Sequence, residues 1–275
     1  MKFIGIDLGW RSGKSGLCCL QYSDQKLKIL DLDCILETED ILNWIDNLTP
    51  LPTPALIAVD APTIIPNQTG TRLPDKLTHK YFGRYHAGCY PANLNRPFAQ
   101  KTVNFGMSLT AKGFIHAPTI EPQQPGRFQI EVYPHPAIVN LFGLEKILKY
   151  KKGKLADRKS ELLKLHQYII NILTTLEPTL EISENFLDTE NINSIATLKI
   201  TEDKLDSLIC AYIGAYWWYW GQAKNLVLGD DTTGYIVVPE RLAPLRGSQN
   251  SKFKSECVIL RGPQNVRRTS DSQKY

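Results

Sequence analysis

The chain has 275 residues, is 43% hydrophobic and carries a formal net charge of +4, with a pI near 8.6. That length buries a sizeable core in one large domain or two small ones, and so mild a cationic excess is by itself no argument for nucleic acid. The six cysteines form no CxxC pair and no zinc-like spacing, which excludes a recognisable zinc module and favours buried thiols in a reducing cytosol.

In chain order, Phe3 to Leu8 is a short apolar run that reads as a strand, with no leader pattern before it. Gly16 to Tyr22 and Lys26 to Leu32 read as two more strands, joined by a hairpin turn at Ser23-Asp24-Gln25. Cys18 and Cys19, adjacent on a strand, are expected on opposite faces. Thr38-Glu39-Asp40 starts a helix that the Pro50–Pro54 stretch ends. Ala55 to Asp60 is an unbroken apolar run, the pattern of a strand covered on both faces. Residues 62–126 show little sustained periodicity and are rich in Pro, Gly, Asn and Thr. Arg127 to Pro134 returns to strand character, and His135 to Leu148 looks helical. Lys149 to Lys154 is a basic turn, after which Asp157 is expected to cap a helix. Glu177 to Glu202 reads as an acidic surface excursion. Asp203 to Trp220 is a strongly apolar helix, with Asp203 a candidate cap. Leu205 to Trp220 is too short for a bilayer span, so the reading is a buried helix in a soluble, cytoplasmic protein. Residues 1–245 thus form an α/β domain with a basic, aromatic insertion at about 62–126, and residues 246–275 a basic, disordered tail. The sheet is mixed, an antiparallel three-strand meander followed by parallel strands, with helices on both faces.

Asp7, Asp60 and Glu131 each sit at the end of such a strand, and Asp206 lies on the late helix beside Leu205, Leu208 and Ile209. A lone strand-end Asp is by default a turn or cap hydrogen bonder. Recurrence at several strand ends points elsewhere, because a carboxylate in an apolar strand is costly to desolvate and a bridging cation removes the cost. Mg²⁺ or Mn²⁺ suits such hard oxygen ligands, and two ions about 4 Å apart activate water and stabilise the leaving oxygen of a phosphodiester. Asp203, three residues before Asp206, is placed on the same helix face as a further ligand.

Between Arg72 and Lys112 the cations are Arg72, Lys76, Lys80, Arg84, Arg96, Lys101 and Lys112, against Asp75 alone among the acids. Tyr81, Phe82, Tyr85, Tyr90, Phe98 and Phe105 are interleaved with them. Cations neutralise phosphates and exposed rings stack on unpaired bases, so Arg72, Lys76, Arg84, Arg96, Lys101 and, from the later turn, Lys151 are candidate contacts to nucleic acid. A solvated basic loop with core aromatics fits the same pattern. His135 near Glu131 is a proton shuttle, a metal neighbour or a structural histidine. Ser12, Lys14 and Ser15 have the makings of a phosphate contact, without the Walker pattern.

Ile4-Gly5-Ile6-Asp7-Leu8-Gly9-Trp10, Ile57-Ala58-Val59-Asp60-Ala61-Pro62, Glu131-Val132-Tyr133-Pro134, Tyr150-Lys151 and Leu205-Asp206-Ser207-Leu208-Ile209-Cys210-Ala211 resemble, in this order from about Lys2 to Pro239, the DUF429 family. Members are regarded as predicted nucleases of the RNase H-like superfamily. The resemblance implies an RNase H-like sheet, with Asp7 on its first strand, Asp60 on its fourth, Asp206 on the late helix and Glu131 on the next strand. The Asp203/Asp206 spacing is similar to that of Holliday-junction resolvases of the superfamily. Ser207 stands where a small apolar residue such as Ala is expected. The function implied is a metal-dependent nuclease using Asp7, Asp60, Glu131 and Asp206 as catalytic ligands. The alternatives are an actin-like or sugar-kinase-like phosphotransferase, which needs a second phosphate loop, and a non-catalytic nucleic-acid-binding module.

Overall fold

A computed structural model describes residues 1–10, 13–183, 186–189 and 191–242. Ser12 and the expected tail, residues 246–275, lie outside the described residues.

The chain opens with β1 (Lys2–Asp7), β2 (Ser15–Ser23) and β3 (Lys26–Ile35), antiparallel neighbours in succession. Asp24 and Gln25 adopt left-handed φ values of 52° and 62°, the conformation that closes a two-residue hairpin with the twist of its strands. Helix α1 (Thr38–Leu48) crosses over to β4 (Ala55–Val59), which pairs parallel to β1. After α2 (Leu73–Phe82), α3 (Ala99–Ala111) and the short β5 (Ile115–His116), β6 (Arg127–Glu131) pairs parallel to β4. Then come α4 (Pro134–Leu141), α5 (Leu155–Tyr168), β7 (Thr179–Glu181), α6 (Ile195–Trp220), and a hairpin of β8 (Asn225–Asp230) and β9 (Gly234–Pro239). Among the described residues the main sheet has seven strands in the order β5-β6-β4-β1-β2-β3-β7. An antiparallel meander followed by parallel strands is the expected architecture, and it is consistent with an RNase H-like fold.

Strand alternation divides the core. Phe3, Cys18, Leu56, Ala58, Ile130 and Val132 face the layer that contains α4, α5 and α6. Ile4, Ile6, Cys19, Ile57 and Val59 face α1 and α3. The two adjacent cysteines therefore do take opposite faces, and the described cysteines are all free thiols.

Several local expectations are corrected. Residues 62–126 contain two helices, α2 and α3, whose apolar positions are too few and too interrupted by Gly and Pro to read as periodic. Helix α6 begins eight residues before Asp203, inside the supposed acidic excursion. Its cap is Ser194, whose hydroxyl accepts from Thr197 N at 3.1 Å while Thr197 Oγ1 accepts from Ser194 N. A Thr in place of the usual Glu or Gln at the third position hides that box in the sequence, and it leaves Asp203 inside the helix rather than capping it. Asp157 lies in the first turn of α5 but does not cap it. Among the described residues, no helix is long and apolar enough to cross a membrane.

Candidate metal-binding cleft

Strand register decides which acids share a side of the sheet. Ile6 pairs with Val59, and Val59 pairs with Glu131. Laterally paired residues point the same way, so Glu131 points with Ile6 and Val59 toward the α1 and α3 layer. Asp7 and Asp60, one residue further on, point toward α6. They stay adjacent because Asp60 N donates to Ile6 O at 2.8 Å, extending the parallel pairing past its last residue.

Two glycines bring α6 down onto these strand ends. A Cβ on Gly5 would lie 2.0 Å from Ser207 O and 2.2 Å from Ala211 N, and one on Gly16 would lie 1.9 Å from Asp203 O. Only hydrogen at both positions permits this approach. Ser207 fits the interface where Ala was expected because its hydroxyl donates to Lys204 O at 2.9 Å within the helix.

Asp206 is thereby fully buried. Its Oδ1 accepts from the Tyr150 hydroxyl at 2.7 Å. Its Oδ2 lies 2.8 Å from Lys151 Nζ, an ion pair that lacks hydrogen-bond geometry. Burial works to lower the Lys151 ammonium, but Asp206, Asp7, Tyr150 and Asp60 outweigh it and hold the group well above the ordinary lysine range. Asp7 and Asp60 are partly buried, and neither side chain makes a hydrogen bond or an ion pair among the described residues. Burial raises both carboxyls. In Asp60 the neighbouring Asp7 adds to the rise, whereas in Asp7 the attraction of Lys151 opposes it. Asp203 is compensated by Lys199 at 2.5 Å and is pushed up to about 7, first by burial and then by Asp7. Glu202, beside it, pairs with Arg158 and Lys199, each at 3.1 Å.

Asp7, Asp60, Lys151, Lys199 and Asp203 line a cleft of about 380 Å³ at the carboxyl ends of β1, β4 and β6, where an open α/β sheet most often receives its ligand. His135, on the first turn of α4, lines it; burial lowers its imidazole to about 4, so the ring is neutral at pH 7, and its buried Nδ1 has no hydrogen-bond partner among the described residues. Trp10, 37% exposed and tilted against Phe98 at 4.4 Å, and Tyr90, 70% exposed, also line the cleft, as does the exposed Lys14.

Glu131 takes a different partner. Its two carboxylate oxygens accept from Arg72 Nη2 at 2.7 Å and Nη1 at 2.9 Å. The same guanidinium donates to Asp75 Oδ1 at 2.8 Å and to Ile64 O at 2.8 Å, and Ala92 N donates to Asp75 Oδ2 at 2.8 Å. Arg72 is 4% exposed, Glu131 4% and Asp75 fully buried. Glu131, expected to complete the ligand set, and Arg72, expected to meet phosphate, line the cleft as partners of one another. Lys101, expected among the substrate contacts, donates its ammonium to Gly9 O at 2.6 Å and ties α3 to the loop after β1. Lys151 stands among the carboxylates rather than on an outer surface. Lys76, Arg84 and Arg96 are exposed as expected, with Arg84 lying over the Tyr85 ring at 4.6 Å.

Tyr150, Asp75, Lys199 and Trp10 were not assigned these roles from the sequence. The one local signal is the Arg72–Asp75 spacing at the start of a helix. Among the described residues, no group of three or more His, Cys, Asp or Glu side chains is arranged to hold a metal ion. Asp7 and Asp60 make two, and Asp206 is turned to Tyr150 and Lys151. A phosphotransferase needs a second phosphate loop; Leu226 to Gly234, which does not clearly read as one, forms most of the β8–β9 hairpin.

No curated protein matches the chain. A family described as a protein of unknown function, DUF429, matches residues 5–233, which take in every acid of the cleft. The chain belongs to the DUF429 family.

Proposed function

We propose that the protein is a divalent-metal-dependent phosphodiesterase acting on nucleic acid, with Asp7 and Asp60 as the metal ligands. The observation that carries this reading is the pairing of two adjacent strand-end carboxylates, partly buried, facing a cleft and without a hydrogen-bonding partner among the described residues. Such groups repel one another and resist ionisation unless a cation joins them. Their hard oxygens and shared opening fit Mg²⁺ or Mn²⁺. An ion bound there supplies Lewis acidity to a phosphate oxygen and to water.

The chain's own groups divide the remaining work. Asp206 and Tyr150 hold Lys151, whose ammonium offers fixed positive charge to an anionic substrate group. His135, kept neutral by burial, offers an uncharged ring nitrogen as a hydrogen-bonding group at the cleft. Lys14 lines the cleft, and the exposed Lys76, Lys80 and Arg84 lie on α2 and the turn after it, close in sequence to Arg72 in the cleft wall. They support a polyanionic substrate. Trp10 and Tyr90 offer ring faces to unpaired bases.

The test is cleavage of a panel of DNA, RNA, hybrid and branched substrates with Mg²⁺ or Mn²⁺. Wild type should cut at least one substrate, and Asp7→Asn and Asp60→Asn should each lose that activity while remaining folded. Cleavage that persists in both variants, or that ignores chelation, would refute the reading.

A further inference from the structure

We infer that the cleft takes a single divalent ion, and that Lys151 stands as a built-in cation where a second ion would otherwise bind. This rests on the proposed metal-binding function of the same cleft. Three carboxylates, Asp7, Asp60 and Asp206, surround one ammonium, which leaves two negative charges for one divalent cation to neutralise. Among the neighbouring acids, Glu202 and Asp203 are matched by Arg158 and Lys199, whereas Glu131 and Asp75 share the one Arg72 and form a separate triad with a single excess negative charge.

Asp206 is the acid that a two-ion site would have to recruit. It is fully buried, with Tyr150 on one oxygen and Lys151 on the other. Its Oδ2 is compensated by the Lys151 ammonium at 2.8 Å, so a cation already occupies the place beside that buried oxygen. The lysine ammonium also suits the place of an ion. It is a compact point charge on a flexible stem, and the side chain keeps 31% exposure toward the cleft.

The experiment is a calorimetric Mn²⁺ titration of the full chain, with wild type, Lys151→Gln and Lys151→Arg, after thermal melts establish that each is folded. Wild type and Lys151→Arg should bind one ion per chain. Lys151→Gln should bind two, or bind the first at least about tenfold more tightly, because the ammonium no longer repels it. Two ions in wild type would overturn the inference, as would a Lys151→Gln variant with unchanged stoichiometry and affinity. The wild-type count decides the matter even if Lys151→Gln does not fold. No binding by any of the three proteins would remove the metal reading and this inference together. A count of one without nuclease activity would uphold the inference and remove only the proposed reaction.

Discussion

Glu131 and Asp75 share the Arg72 guanidinium, whereas Asp60 and Asp7, one and two strands away in the same cleft, share no such partner among the described residues. All four are acids with little or limited exposure, and burial raises Glu131, Asp7 and Asp60 alike. What separates the two groups is register. Glu131 pairs laterally with Val59 and points toward the α1 and α3 layer, within reach of Arg72. Asp60 is one residue beyond Val59, and the pleat turns it to the other side. A one-residue offset thus distinguishes an acid whose charge is spent on structure from an acid whose charge is open to a ligand.

The largest effect should come from removing the partner on the closed side. Arg72→Met leaves Glu131 and Asp75 buried without a counter-charge and should cost about 3–5 kcal/mol at pH 7–8, read as a fall in the urea midpoint. The cost should shrink near pH 5, where the acids can take up protons; an equal cost at both pH values would contradict the role given to Arg72.

The pH profile of the metal-free protein gives a smaller effect. Glu131 and Asp203 are each pushed up to about 7, first by burial. The folded chain therefore binds more protons than the unfolded chain between about pH 4 and about pH 7. Stability is fully present below that window and should fall as pH rises through it. A urea midpoint that climbs from pH 5 to pH 7 would show that these acids are stabilising when ionised.

Gly5→Ala sharpens the comparison from the open side. Its new methyl collides with Ser207 O and the Ala211 backbone and forces α6 off β1, at about 1–3 kcal/mol. Because the collision disturbs β1 two residues before Asp7, metal affinity should fall as well, whereas Arg72→Met should leave metal affinity closer to wild type. Lys101→Met should have the smallest effect, about 0.5–1.5 kcal/mol for the lost bond to Gly9 O. A loss of nucleic-acid affinity larger than that would return Lys101 to the substrate-contacting set.

The sheet was legible in the sequence because its signals are local. Alternation marked β2 and β3, the Asp24-Gln25 turn marked their hairpin, and the unbroken run from Ala55 marked a strand covered on both faces. The acids at strand ends were legible for the same reason. Their partners were not. Nothing near Glu131 in the chain points to Arg72, 59 residues away, and nothing near Asp206 points to Tyr150, 56 residues away. The face of Glu131 was readable in principle, since Ile130 and Val132 are apolar on the opposite phase from Gln129 and Glu131. The start of α6 was hidden by a Ser194–Thr197 cap, and α2 and α3 by weak amphipathic patterns. Lys151 looked like a surface charge because a basic turn usually is one; only the approach of α6, permitted by Gly5 and Gly16, buries its ion pair.

The most direct test of the open and closed acids is an Mn²⁺ titration of wild type, Asp7→Asn, Asp60→Asn and Glu131→Gln, each verified as folded. Binding should be lost or weakened by at least about tenfold in Asp7→Asn and Asp60→Asn and retained in Glu131→Gln. Binding that survives both aspartate changes and vanishes with Glu131→Gln would contradict the account.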